Sequence, residues 1–115
     1  MEEIKVGDFI RTRKGIIGKV EQIGNSLLWI EDGTAFSLQD KSIKHSKNII
    51  DLIEEGDYVN GNKVIRIETS SYPEDKNVKI IVCCGDDDYY VYYNEDIKSI
   101  VTKEQFENNV YRIGD

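Results

Sequence analysis

Residues 6–23, VGDFIRTRKGIIGKVEQI, set the pattern from which the fold follows, because the pattern returns at residues 55–68 as EGDYVNGNKVIRIE. Both stretches begin with Gly-Asp, an aromatic residue and a β-branched residue, and a Lys-Val-x-x-Ile segment follows in each. Such a repeat within one chain predicts two copies of the same small structural unit.

The parallel between the halves continues beyond these stretches. Both halves then contain, in the same order, an apolar segment, an aromatic segment, a polar segment with Ser-Ile, and a short apolar closing strand. In the first half these segments are residues 27–33, 34–38, 41–48 and 49–53, and in the second they are residues 79–88, 89–93, 96–109 and 110–113. Six features in the same order predict one unit over residues 1–53 and another over 54–115, joined near residues 53–56.

The residue types within each unit are those of short strands. β-Branched and aromatic residues dominate residues 9–23, and glycines punctuate them. Residues 69–77, TSSYPEDKN, have turn chemistry throughout and predict a long hairpin loop. One helix is expected, over residues 102–109, where Thr102 and Gln105 have the spacing of a capping box.

Five short strands with a helical turn before the fifth follow the order of an SH3-like barrel. We therefore expect an all-β fold with a minor α-helical part, in two tandem SH3-like β-barrel units with a short helix before the last strand. The stretch 6–23 resembles the opening of KOW-type barrels, where Gly-Asp starts one strand and Gly-x-x-Gly-x-Val opens the next. The whole chain, above all residues 42–61 and 96–111, resembles small proteins of Gram-positive bacteria and their phages.

Charge and cysteine content narrow the class of protein. The chain has 115 residues and a net charge of −7. Residues 1–53 are neutral, whereas residues 54–115 carry seven basic and fourteen acidic side chains, which repel phosphates and attract basic partners. No apolar stretch is long enough for a membrane span, and no signal peptide is expected at the N-terminus. The only cysteines are the adjacent Cys83 and Cys84, so we expect no disulfide scaffold and a cytoplasmic location.

Catalytic and metal chemistry have little support in the sequence. His45 is the only histidine and lies in a lysine-rich loop, where a solvated residue is a simpler interpretation than a general base. Neither nucleotide-binding glycine fingerprint is present. Residues 85–88, GDDD, lack the ligand spacing of a calcium loop, and adjacent cysteines on a strand point to opposite faces. We expect no enzyme activity, no metal site and no cofactor.

The second unit instead presents acidic residues interleaved with tyrosines. On a strand over residues 89–93, one face carries Tyr89, Val91 and Tyr93 and the other carries Tyr90 and Tyr92. One of these aromatic faces must be exposed or covered by something outside the unit. The cover could be the first unit, an identical chain in a homo-oligomer, or a foreign protein. The predicted partner-binding residues are Asp86, Asp87, Asp88, Tyr89, Tyr90, Tyr92, Tyr93 and Glu95.

A basic patch in the first unit supports a different hypothesis. Its predicted members are Arg11, Arg13, Lys14, Lys44 and Lys47, and a cluster of this kind is what phosphate contacts require. It would suit a KOW-like nucleic-acid or ribosome-associated adaptor, although the acidity of the second unit makes nucleic acid the less favoured partner.

The sequence therefore favours a non-enzymatic binding protein whose acidic, tyrosine-rich surface meets a basic host protein. In the phage setting that the resemblance implies, the chain would inhibit a host defence or regulatory protein. Beside the adaptor, a further alternative is an oligomer of barrels that captures a nucleotide between subunits.

Overall fold

A computed structural model describes residues 3–70 and 78–109 of the chain. Contacts between residues divide the chain into two compact units, residues 1–52 and 53–115. Each unit contains a five-stranded antiparallel sheet, and the described helical residues form short turns and one short helix. The predicted all-β class with a minor α-helical part is confirmed.

The first unit is a meander of four strands that a fifth strand closes. Its strands are β1 (Phe9–Arg11), β2 (Ile17–Ile23), β3 (Leu27–Ile30), β4 (Ala35–Ser37) and β5 (Lys44–Ser46). The sheet order is β4-β3-β2-β1-β5, so the last strand lies beside the first. A 3₁₀ turn follows at Ile49–Leu52. The alternating burial of these strands places one face on a core of Ile10, Val20, Leu28, Ile30 and Ile43.

The second unit repeats this order with longer central strands. Its strands are β6 (Tyr58–Val59), β7 (Asn62–Ser70), β8 (Val78–Cys84), β9 (Tyr89–Tyr92) and β10 (Ile100–Val101). The sheet order is β10-β6-β7-β8-β9, again with the last of the five strands beside the first. A 3₁₀ turn at Asn94–Asp96 precedes β10, and helix α1 (Lys103–Asn109) follows it. Strand β9 therefore forms one edge of this sheet.

The repeated Gly-Asp forms the same backbone turn in both units. Gly7 and Gly56 have φ values of +98° and +96°, which favour glycine over residues with a Cβ. The Gly7 amide donates to the Val20 carbonyl (2.9 Å), and the Val20 amide donates to the Asp8 carbonyl (2.8 Å). The counterpart residues of the second unit make the same two bonds at 2.9 and 2.7 Å.

The side chain of each repeated aspartate holds its turn from within. Asp8 Oδ2 accepts the Lys5 amide at 3.0 Å, and Asp57 Oδ2 accepts the Glu54 amide at 2.7 Å. Asp57 is fully buried, and its Oδ1 accepts the Lys103 amide at the start of α1 at 2.9 Å. This carboxylate thus ties the first strand of its unit to the helix that follows the last one.

The strand after each Gly-Asp turn also bulges at the same place. The register of β2 against β3 shifts between Val20 and Gln22, and that of β7 against β8 shifts between Val64 and Arg66. Each bulge lies directly after the valine of the Lys-Val pair. A bulge bends its strand and increases its twist. The two units therefore share a local bend of the sheet at this position as well as the repeated sequence.

The closing segments differ from the prediction. A strand over residues 49–53 is wrong, because the structure places a 3₁₀ turn there and pairs the preceding Lys44–Ser46 with β1. Ser46 Oγ accepts the Asn48 amide (3.1 Å) and donates to the Asp51 carboxylate (2.6 Å), so the chain turns as soon as β5 ends. The closing strand predicted over residues 110–113 lies outside the described residues.

The predicted helix is present as α1. Thr102 is its N-cap: Thr102 Oγ1 accepts the Gln105 amide and Gln105 Oε1 accepts the Thr102 amide, each at 3.3 Å, which is a capping box. The Phe106 ring stacks on Tyr58 of β6 with a centroid distance of 4.7 Å. Across residues 3–70 and 78–109, no helix is long and apolar enough to cross a membrane. In the predicted loop 69–77, residues 69 and 70 instead end β7, and the remainder lies outside those ranges.

Candidate functional site

The β8–β9 hairpin carries most of the predicted partner-binding residues. Strand β9 pairs with β8 from Cys84 opposite Tyr89 to Ile81 opposite Tyr92. At the tip, the Gly85 amide donates to the Asp88 carbonyl at 2.7 Å. A Cβ on Gly85 would lie 2.2 Å from the Tyr90 ring. Glycine at this position therefore lets the ring lie against the base of the turn.

The tyrosines of this hairpin are exposed to different extents. Tyr89 is 69% exposed, Tyr90 45% and Tyr93 40%, and Val91 between them is also exposed. Tyr92 is half-buried, and its hydroxyl accepts a hydrogen bond from Asn62 Nδ2 at 2.9 Å. The Tyr90 and Tyr92 rings lie nearly parallel, 10° apart, with centroids separated by 6.4 Å. One aromatic face is thus held in a fixed stack, while the opposite face carries Tyr89, the most exposed ring of the four.

Acidic side chains surround these rings. Asp86, Asp87 and Asp88 form the tip and are exposed, as is Glu95 in the following 3₁₀ turn. None of the three tip aspartates has an ion-pair partner in the described part of the chain. The acidic tyrosine surface, as we name it, consists of Asp86, Asp87, Asp88, Tyr89, Tyr90, Tyr92, Tyr93 and Glu95. It combines apolar contact area with uncompensated negative charge.

Asp96 has a structural role that the sequence analysis missed. Its Oδ2 accepts the Tyr93 amide at 3.0 Å, and its own amide donates to the Tyr93 carbonyl at 3.0 Å. Both backbone groups of Tyr93 are therefore used within the chain. These two hydrogen bonds end strand β9 and fix where the acidic tyrosine surface stops.

The two cysteines lie on opposite faces of β8, as the strand interpretation predicted. Cys83 is fully buried and Cys84 is exposed. Burial raises the pKa of the Cys83 thiol to about 11, so this group stays protonated and unreactive at neutral pH. Cys83 is a core residue, and only Cys84 is accessible to reagents.

Thiol labelling of the folded protein at pH 8 is expected to modify one cysteine per chain. A maleimide should attach to Cys84 within minutes, because the reagent cannot reach Cys83 until the sheet opens. The measurement is intact-mass spectrometry over time, in native buffer and in denaturant. Cys84→Ser should leave the native protein unlabelled, and labelling of both thiols at equal rates in native buffer would contradict the assignment.

The structure buries one member of the predicted basic patch. Arg11 is only 3% exposed, and its Nη1 donates to the Leu52 carbonyl at 2.9 Å, so it supports the fold rather than the surface. Arg13 and Lys14 are exposed in the β1–β2 turn, and Lys44 and Lys47 are exposed in and after β5. Because Arg11 is paired with Lys44 in the β1–β5 ladder, Lys44 lies at the same end of this strand pair as Arg13 and Lys14, whereas Lys47 lies beyond the other end.

A polar pocket of about 390 Å³ lies in the first unit. His45 Nδ1 lies 3.3 Å from Asp8 Oδ2 inside it, and Asp8 is almost fully buried. The pocket is lined by Glu3, Lys5, Asp8, His45, Ser46, Lys47 and Asn48. By strand register, the pocket-lining residues 46–48 correspond to residues 101–103 of the second unit. There, the amide of Lys103 donates to the Asp57 carboxylate.

Metal ligation has no arranged site in the ranges 3–70 and 78–109: they contain no group of three or more His, Cys, Asp or Glu side chains placed to hold an ion. The three tip aspartates are thus a surface charge cluster.

Comparison with protein-family models, curated proteins and solved structures finds no match for this chain.

Proposed function

We propose that this chain is a non-enzymatic binding protein that uses the acidic tyrosine surface to hold a basic protein partner. The observation that carries this proposal is the exposure of Tyr89, Tyr90 and Tyr93 directly beside three aspartates that have no ion-pair partner among residues 3–70 and 78–109. Tyrosine offers a large apolar ring with a polar tip and is enriched at protein interfaces. The stack of Tyr90 on Tyr92 lowers the ordering cost of binding, because those rings are already positioned.

The negative charge around the tyrosine rings favours a positively charged partner. All of the net charge of −7 arises from residues 54–115, and the tip concentrates three of those charges. Such a field accelerates encounter with a basic surface and disfavours an acidic one. Lysine and arginine side chains also gain from lying over tyrosine rings. A basic protein therefore matches both components of the surface.

A protein that binds nucleic acid is one class of basic partner that fits this surface. A basic protein that binds nucleic acid presents its cations where phosphates would lie, and the tip carboxylates would take the place of those phosphates. Binding of this chain would then inhibit that protein, which agrees with the resemblance of the chain to proteins of phages. The inhibited class would be a host defence or regulatory protein.

The test is a triple variant, Asp86→Asn/Asp87→Asn/Asp88→Asn, which keeps side-chain shape and removes three charges. Its control is Glu21→Gln/Glu31→Gln/Glu55→Gln, which removes three exposed charges elsewhere. Immobilised wild-type protein should retain a basic protein from a bacterial lysate, and the identified protein is then purified for titration. Because exposed ion pairs contribute about 0.2–1 kcal/mol each, the tip variant should bind it roughly tenfold more weakly.

The control variant should bind nearly as well as the wild type. A second variant, Tyr89→Ala, should weaken binding without changing its dependence on salt concentration. Equal affinity of the tip variant and the control variant would contradict the proposal, as would a partner whose affinity is unaffected by salt.

A further inference from the structure

The outer edge of β9 has backbone groups that the sheet does not use. The Gly85 amide bonds to the Asp88 carbonyl, which makes these two residues a hydrogen-bonded pair of the antiparallel ladder. Bonded and non-bonded pairs alternate along such a ladder. The register then makes Tyr90 and Tyr92 bonded partners of β8, while Tyr89 and Val91 occupy non-bonded positions.

Residues at non-bonded positions point their amides and carbonyls away from the neighbouring strand. Tyr89 and Val91 therefore direct two N–H and two C=O groups outward, and these groups have no hydrogen-bond partner in the described part of the chain. The open segment is bounded on one side by the tip and on the other by Tyr93, whose backbone groups are bonded to Asp96. An exposed edge of this kind is a template for another strand.

From this geometry we infer that the basic partner binds by adding an extended segment to β9 as a sixth strand. The inference rests on the proposed function and specifies its binding mode. Main-chain hydrogen bonds to Tyr89 and Val91 supply the register, as in other cases of strand addition. Side chains of the added strand alternate between the stacked Tyr90–Tyr92 face and the Tyr89–Val91 face. Basic residues at the tip end lie beside Asp86, Asp87 and Asp88.

Charge argues against a second copy of this chain as the added strand. In the antiparallel register centred on Val91, self-pairing would bring the tip aspartates of each copy to the end of the other β9, where Glu95 and Asp96 lie. Like charges placed opposite one another are destabilising, and each chain carries a net charge of −7. A basic segment reverses the sign of every one of these interactions.

The structure offers an unusually selective variant for testing this mode. Val91→Pro removes an amide that points outward and leaves the β8–β9 ladder bonds in place, and proline is tolerated at such edge positions. Its control is Val91→Thr, which keeps the amide and the branched shape. The probe is the acetylated and amidated peptide Lys-Val-Lys-Thr-Lys-Val, and Glu-Val-Glu-Thr-Glu-Val is the charge-reversed peptide.

We expect the basic peptide to bind the wild type and Val91→Thr, and to bind Val91→Pro at least tenfold more weakly. Hydrogen exchange of the wild type measures the same contact without a variant. The Tyr89 and Val91 amides should exchange at least tenfold more slowly with the basic peptide, while the Tyr90 and Tyr92 amides, already bonded to β8, should change little. The acidic peptide should not bind.

The outcomes separate this inference from the proposed function. Binding of the basic peptide that depends on the tip charges, without slower exchange at Tyr89 and Val91 and without loss in Val91→Pro, would overturn strand addition alone. Binding that survives the Asp86→Asn/Asp87→Asn/Asp88→Asn change would contradict the charge-based proposal. Failure of the basic peptide to bind at millimolar concentration, or a rise in mass to that of a dimer by light scattering, would overturn the inferred occupant.

Discussion

Asp57→Ala is expected to cause the largest loss of stability of any single aspartate substitution in the second unit, about 3–5 kcal/mol in the free energy of unfolding. The Asp57 carboxylate is fully buried and accepts the amides of Glu54 and Lys103 at 2.7 and 2.9 Å. Hydrogen bonds to a charged group contribute more than neutral ones, and their loss leaves two amides without an acceptor. Urea unfolding followed by circular dichroism measures the change.

Two controls locate the effect in the carboxylate. Asp57→Asn keeps one acceptor oxygen and should cost less than Asp57→Ala. Asp87→Ala removes an exposed tip aspartate and should leave the stability within about 0.5 kcal/mol of the wild type. An Asp57→Ala protein as stable as Asp87→Ala would show that the buried carboxylate does not hold its unit together.

Gly18→Ala is expected to destabilise the first unit by about 1–3 kcal/mol. A Cβ at this position would lie 2.5 Å from Ile30 Cδ1 and 2.9 Å from Ile30 Cβ, and Ile30 is a buried core residue. The second distance decides the sign, because Ile30 Cβ is fixed to the β3 backbone and cannot turn away. The clash exceeds the ~0.5–1 kcal/mol that replacing a glycine with alanine in a strand would otherwise gain.

Shortening Ile30 tests the cause of that loss. Ile30→Val removes Cδ1 and alone should cost about 1 kcal/mol, but in the Gly18→Ala background it should cost less than that or become stabilising. The fluorescence of Trp29, the neighbour of Ile30 on β3, follows the unfolding of this unit. If the two changes are additive to within about 0.3–0.5 kcal/mol, the contact with Ile30 Cδ1 does not contribute to the loss, and the Ile30 Cβ that valine retains is its origin.

The repeat made much of the fold predictable, because its signals are local. Gly-Asp forms a turn that glycine alone adopts easily, and Thr102 with Gln105 is a capping box that depends only on spacing. The end of the first unit was predicted wrongly for the opposite reason. Residues 49–53 are apolar and partly β-branched and therefore look like a strand, whereas the true strand is the polar Lys44–Ser46.

The site shows the same division between local and distant signals. Strand alternation correctly placed the two cysteines on opposite faces of the sheet, since it needs only the period of a strand, but it did not say which of them is buried. The burial of Arg11 depends on the Leu52 carbonyl, 41 residues away in sequence. A local sequence pattern cannot predict a hydrogen-bond partner at that distance. The roles of Asp8 and Asp57 were missed although their repetition was visible, because acidic residues are usually solvated.

The two aspartate-held turns have unequal consequences for how the sequence can change over time. In the second unit the aspartate binds the backbone amide of residue 103, which every amino acid except proline supplies, so a substitution at that position keeps this hydrogen bond. In the first unit the counterpart aspartate, Asp8, contacts the ring of His45. A residue that replaces His45 must therefore have a side chain of similar length with a hydrogen-bond donor. Of the two repeated turns, one therefore has a long-range contact that tolerates substitution, and the other has a long-range contact that depends on a single side chain.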